Sequence, residues 1–121
     1  MATKIVNLTP HELVLMDETG ENEIAHIPVA GEAARVGTRA TKIGQVEIDG
    51  HDVPVVETTF GETENLPEPL DDTTYVVSII VLQAVRGVRK DVVAPDTGPS
   101  AVRFADGPQK GQIKGVRQFT R

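Results

Sequence analysis

Turn-forming residues cut this 121-residue chain into short segments along its whole length, and that punctuation limits what it can fold into. Thr9-Pro10 stops the β-prone run at residues 4–8, because the residue before a proline is pushed towards extended or turn backbone. "ETG" closes the run 12–17, and Gly20 there is free to take positive φ. Residues 22–28, "NEIAHIP", alternate polar and apolar and end at a proline, as a half-buried strand does. A first hairpin is predicted. Asp49-Gly50 lies between two more alternating runs, and both positions of such a turn need positive φ. Residues 42–48 are therefore predicted to pair with 51–57.

Residues 58–74, "TTFGETENLPEPLDDTT", read as a loop carrying Glu62, Glu64, Glu68, Asp71 and Asp72 without a base. Loops of this length are mostly functional, mobile or packed by their own side chains, and Phe60 and Leu66 are the expected anchors. The run that follows, "TYVVSIIVLQAVRG", is apolar on all sides, so periodicity cannot separate strand from helix. Length separates them, because a strand from 74 to 86 would far exceed the usual five or six residues. Ser78 is a good N-cap and Gly87 a good C′ residue, which predicts a strand turning into a short helix at about 78–86. Ile79, Ile80 and Leu82 are its expected core residues. Residues 90–96, 101–106 and 112–119 read as further strands, with a bulge expected at Gly115. The fold class expected is α+β and β-rich. It comprises about nine short, mostly antiparallel strands in a barrel- or sandwich-like sheet with one short helix, in a single domain over 1–121.

With one Tyr, three Phe and no Trp, the core has to be built from Val, Ile, Leu and Ala. The chain has no cysteine, which excludes disulfides and thiolate metal sites. Residues 1–8 lack a long apolar run behind a basic start, and no stretch approaches the roughly 20 apolar residues of a membrane span. A protein with no membrane partner is expected. The net charge of −6 is unevenly spread: residues 1–85 hold four bases against fifteen acids, and residues 86–121 hold eight bases against three. An acidic chain is a poor general nucleic-acid binder, although its basic last third suits a small anion.

No catalytic signature stands out. His11, His26 and His51 occur singly, without the spacing of a zinc site, and no metal is expected. Serine occurs only at 78 and 100, and no nucleophile elbow, phosphate loop or dinucleotide fingerprint is present. No cofactor is expected, and an enzyme is disfavoured. For binding, Ser78 would open a helix with free backbone N–H groups, an arrangement suited to an anion. Arg103 beside Tyr75 or Phe60 would offer guanidinium and aromatic contacts, and Asp96, Thr97 and Ser100 would suit a ribose. These seven residues form the expected ligand site. Arg86 and Arg89 fall beyond the other end of the helix, where Asp91 is the natural partner of Arg89.

Five segments carry a resemblance that covers most of the chain: "IVNLTPHEL", "IPVAGEAARV", "PVVETTFGETENLPEP", "TYVVSIIVLQAV" and "DVVAPDTGP…AVRFADGPQKGQIKGVRQF". Together they resemble a family of small bacteriophage and prophage proteins that open with an Asn-Leu-Thr-Pro-His motif. The resemblance carries over no catalytic residues. It implies a phage accessory protein acting in the cytoplasm of a bacterial host. In that setting the leading expectation is a non-enzymatic anti-defence protein, a sponge that sequesters a nucleotide-derived immune signal. The alternative is a structural or protein-interaction module that inhibits a host protein through the acidic segment 58–72. A homo-oligomer would suit either.

Overall fold

The structure, a computed structural model, describes residues 3–121. Ten strands and one short helix follow in the order β1 (Lys4–Asn7), β2 (Leu13–Met16), β3 (Glu23–Ile27), β4 (Arg35–Ile48), β5 (His51–Glu64), β6 (Thr73–Val76), α1 (Ile79–Val85), β7 (Val92–Pro95), β8 (Val102–Arg103), β9 (Ile113–Gly115) and β10 (Phe119–Thr120). The chain is β-rich with one helix, as expected. Antiparallel pairs predominate, but the main sheet is mixed: in the order β1-β6-β7-β10, the first three strands are parallel and β10 is antiparallel to β7. The other strands form three two-stranded pairs, and no closed barrel forms among the described residues.

The parallel pairing of β6 and β7 follows from what joins them. Residues 77–91 provide a crossover long enough to return the chain to the same end of the sheet, and α1 is its helical part. The helix begins after Ser78 and ends before Gly87, which takes φ 83°. Its covered face is Val81, Leu82 and Val85. Ile79 and Ile80 are exposed, which corrects their expected place in the core. A helix packed on one side buries only one stripe, and an all-apolar run does not reveal which. Leu82, Val81 and Val85 join Leu8, Ala34, Tyr75, Val77, Val92 and Ala94 in the main core, with Leu66 packed against it.

The Asp49-Gly50 turn has φ 51° and 81°, and the predicted pairing holds from Lys42↔Val56 to Ile48↔His51. The ladder then continues to Arg35↔Glu64. Residues 58–64 are therefore strand, and the expected loop shrinks to the stretch after Glu64. Two of the strands are fourteen residues long rather than short. The β2–β3 turn is held by Asp17, which accepts from the Thr19 hydroxyl (2.6 Å) and Asn22 Nδ2 (2.9 Å); these bonds keep its carboxyl far below the ordinary range. At Gly115 an added Cβ would meet Met16 at 2.8 Å and the Val14 carbonyl at 2.9 Å, so close approach to β2 explains the glycine. The register shift fits the expected bulge: Val102 pairs with Gly115 and Arg103 with Ile113, so the extra residue lies in β9 beside Gly115.

After the helix, Arg89 donates to both carboxylate oxygens of Asp91 (2.9 and 2.8 Å) and to the Pro67 carbonyl (2.8 Å). The pair is mostly covered, and the guanidinium holds the Asp91 carboxyl below its ordinary value. A carboxyl depressed in the native state stabilises above its unfolded pKa, and that contribution is lost as pH falls through the native one. Asp91→Asn is expected to lower stability at neutral pH by about 1–3 kcal/mol. It should also flatten the acid-unfolding limb below about pH 4, which urea melts across pH would measure.

Candidate functional site

The first strand ends in Asn7-Leu8-Thr9-Pro10-His11, and the buried Asn7 side chain shapes that bend. Its Nδ2 donates to the carbonyls of His11 (2.8 Å) and Ile27 (3.0 Å), and its Oδ1 accepts from Thr9 N (3.0 Å) and Thr9 Oγ1 (2.6 Å). The Thr9 hydroxyl also lies 2.9 Å from the His11 carbonyl, so its one proton serves either that oxygen or Asn7 Oδ1. Every polar atom of the Asn7 side chain is thereby used inside the fold, and the motif acts as a structural brace.

The bend forms one wall of a cleft of about 450 Å³. The rest of the lining comes from Ser78 and Ile79 after β6, from Pro95 and Thr97 at the end of β7, and from residues 113–116 at β9. The cleft thus opens outside the carboxyl ends of all three parallel strands. At that edge β6 leads into α1 and on to β7, whereas β1 leads into the β2–β3 hairpin. Leu13, Val14, Ile79, Ile113 and Val116 make it predominantly apolar. Its polar groups are the hydroxyls of Ser78 and Thr97, the ammonium of Lys114, the His11 ring and the Glu12 carboxylate. Glu12 is partly engaged: its Oε1 is 2.9 Å from His26 Nδ1, whose other nitrogen is 2.6 Å from Glu23. These two carboxylates, Glu12 foremost, raise the His26 pKa above its ordinary value.

Of the seven residues expected to bind a ligand, Ser78 and Thr97 line the cleft and the other five do not. Ser78 makes no side-chain cap bond, so its hydroxyl is free to face a ligand. With seven residues α1 is too short for its N-terminus to count as an anion site in itself. Phe60 lies on β5 opposite Thr38 and is not part of the cleft lining. It is exposed and does not anchor a loop. Tyr75 is buried, and its hydroxyl donates to the Glu68 carbonyl at 3.1 Å. Asp96 shapes the turn after β7, accepting from Gln118 Nε2 (2.6 Å) and Gly98 N (3.0 Å). The Gln118 bond is the main reason its carboxyl is lowered, and the nearby buried Ser100 hydroxyl contributes least. Arg103 ties two turns together by donating to the carbonyls of Gly111 (2.8 Å) and Thr97 (3.3 Å).

His11, Lys114 and the apolar wall escaped the sequence reading. The available signal was the motif itself, which ends a strand, but its meaning depends on knowing that β1 runs parallel to β6. Among the described residues no helix is long and apolar enough to cross a membrane. The chain matches no protein-family model, no curated protein and no solved structure.

Proposed function

We propose that the chain is a non-enzymatic binding protein that sequesters a small, anionic, nucleotide-like ligand in this cleft. The observation that carries the reading is the position of the cleft, outside the carboxyl ends of β1, β6 and β7. Ligands of open sheets with parallel strands bind at that edge, where neighbouring strands send the chain in different directions. Apolar walls with a few polar groups are also the usual make-up of a small-molecule site. Ile79, Ile113 and Val116 suit the face of a base, the Ser78 and Thr97 hydroxyls suit a ribose, and Lys114 suits a phosphate. In the phage setting that the Asn-Leu-Thr-Pro-His motif suggests, the ligand would be a nucleotide-derived immune signal of the bacterial host.

Calorimetry against cyclic dinucleotides and ADP-ribose derivatives tests the proposal. At least one is expected to bind and to be recovered unchanged after heat denaturation of the protein. Lys114→Glu should weaken that binding about ten- to a hundredfold, the effect of losing one charge-assisted contact. Absence of heat across the panel, or recovery of an altered molecule, would overturn it. A second reading, an interaction module acting through the acidic segment, has one observation in its favour: Glu62, Glu64 and Glu68 are all exposed. It requires that their replacement by lysine abolish partner capture while leaving the fold intact.

A further inference from the structure

The hairpin of β4 and β5 is an arm that the rest of the chain does not cover. At fourteen residues per strand it is about 45 Å long. Apart from Val36 and Thr63, every residue of both strands is exposed. Isolated two-stranded ribbons are marginally stable in water and need a further layer on one face. The accessible surface makes the same point for the whole molecule. It is 8405 Å² for 13.0 kDa, whereas a compact monomer of that mass exposes about 6,300 Å². The excess is well above the roughly 800 Å² that each partner contributes to a standard interface.

The register shows which face lacks a cover. Val46 opposes Val53, Ile48 opposes His51 and Gly44 opposes Val55, and alternation puts these pairs on one face of the outer arm. The other face there carries Gln45 with Pro54 and Glu47 with Asp52. The outer arm is thus amphipathic, with an apolar strip of Val46, Ile48, Val53 and Val55 open to water. Charge is also divided across its width. β4 carries Arg35, Arg39 and Lys42 against Glu47 alone, while β5 carries Asp52, Glu57, Glu62 and Glu64 with no Lys or Arg. Among the described residues none of these charges forms an ion pair within the chain.

We propose that the arms of two copies pack face to face through this strip, about a two-fold axis running along the arm, to form a homodimer. That axis sets the basic β4 of one protomer over the acidic β5 of its partner, whereas a two-fold across the arm would set like charge on like. It stacks Val46 on the partner's Val53 and brings Arg39 beside the partner's Glu57. The patch is self-complementary, as a closed two-fold interface requires. Addition along the strand edges is opposed by Pro54 on β5, by the edge charges and by the register shifts at Val36/Thr38 and Lys42/Gly44.

Sedimentation equilibrium of the full chain is expected to give about twice 13.0 kDa at micromolar concentration. A Val46→Glu, Val53→Glu double variant should sediment as a monomer with an unchanged circular dichroism spectrum. Arg39→Glu and Glu57→Arg, each alone, should weaken dimerisation about tenfold or more by opposing like charges. Mixed together, these two single variants should dimerise with each other. In that mixed pair the glutamate brought in at position 39 faces the arginine brought in at position 57, and the native Glu57 faces the native Arg39. A monomeric wild type, a dimer indifferent to the two glutamates, or no association on mixing would each overturn the proposal. So would a wild-type arm that binds another protein only as a monomer.

Discussion

Replacing Asn7 with leucine is expected to destabilise the chain by about 3–5 kcal/mol, a large part of the 5–15 kcal/mol that holds a domain of this size together. Leucine fills a similar volume, so the loss isolates the polar contacts. The Ile27 carbonyl loses its donor and Thr9 N its acceptor, whereas the Thr9 hydroxyl and the His11 carbonyl, 2.9 Å apart, still pair with each other. Each group left buried without a partner costs about 1–3 kcal/mol, and part of this is recovered where relaxation admits water. Asn7→Asp separates the donors from the acceptor. A carboxylate still accepts from Thr9 but faces two carbonyl oxygens, so its native pKa must rise and its cost must grow as pH climbs above the ordinary carboxylate range. Urea melts at constant m-value give both numbers. A loss below about 1 kcal/mol for Asn7→Leu would mean that the bend stands without the side chain. Because residues 9–14 form one wall of the cleft, ligand affinity should fall together with stability.

What could be read from the chain was local. The Asp49-Gly50 turn, Gly20, and the Ser78 and Gly87 limits of the helix depend on backbone preferences of single residues, and each lies where those preferences put it. The extension of β5 through Glu64 was not local. "TTFGETE" has strand-forming threonines and a phenylalanine, but its acids and glycine read equally well as loop until β4 is placed beside it. The alignment of β1 with β6 pairs Lys4 with Thr73, and nothing near either residue announces a partner so far along the chain.

The same distinction separates the site residues. Ser78 was read from its place at the start of the helix and Thr97 from its hydroxyl in a turn, and both follow strands whose ends the cleft adjoins. Asp96 and Arg103 have the chemistry of a ribose site, but that chemistry is taken up by the turns that carry them, and the Ser100 hydroxyl is buried without a partner among the described residues. A polar side chain in a Gly/Pro-rich turn has a structural task close at hand, and a sequence cannot show whether it is already occupied. Lys114 and Ile113 had the opposite problem: they look like surface strand residues until the β8–β9 pair is seen to cover the end of the parallel sheet.

Tyr75 offers the second large effect and the sharpest separation of folding from binding. Only 2% of its surface is exposed, and its ring lies in the main core among Leu8, Val77, Val81, Leu82 and Val92. Its hydroxyl holds the Glu68 carbonyl, and the Arg89 guanidinium sits 6.0 Å from the ring centroid while also gripping Pro67 and Asp91. One aromatic side chain therefore fills the core and pins the connection that leads from the arm back to β6. Tyr75→Ala is expected to cost about 3–5 kcal/mol, the usual range for emptying a large buried ring. Tyr75→Phe keeps the ring and loses one hydrogen bond, so about 1 kcal/mol is expected, with the connection before β6 more open to proteolysis. Since Tyr75 does not line the cleft, any nucleotide that binds the wild type should bind Tyr75→Phe with the same affinity. A Tyr75→Phe protein of unchanged stability but lower affinity would return Tyr75 to the ligand site and move that site towards residues 67–68.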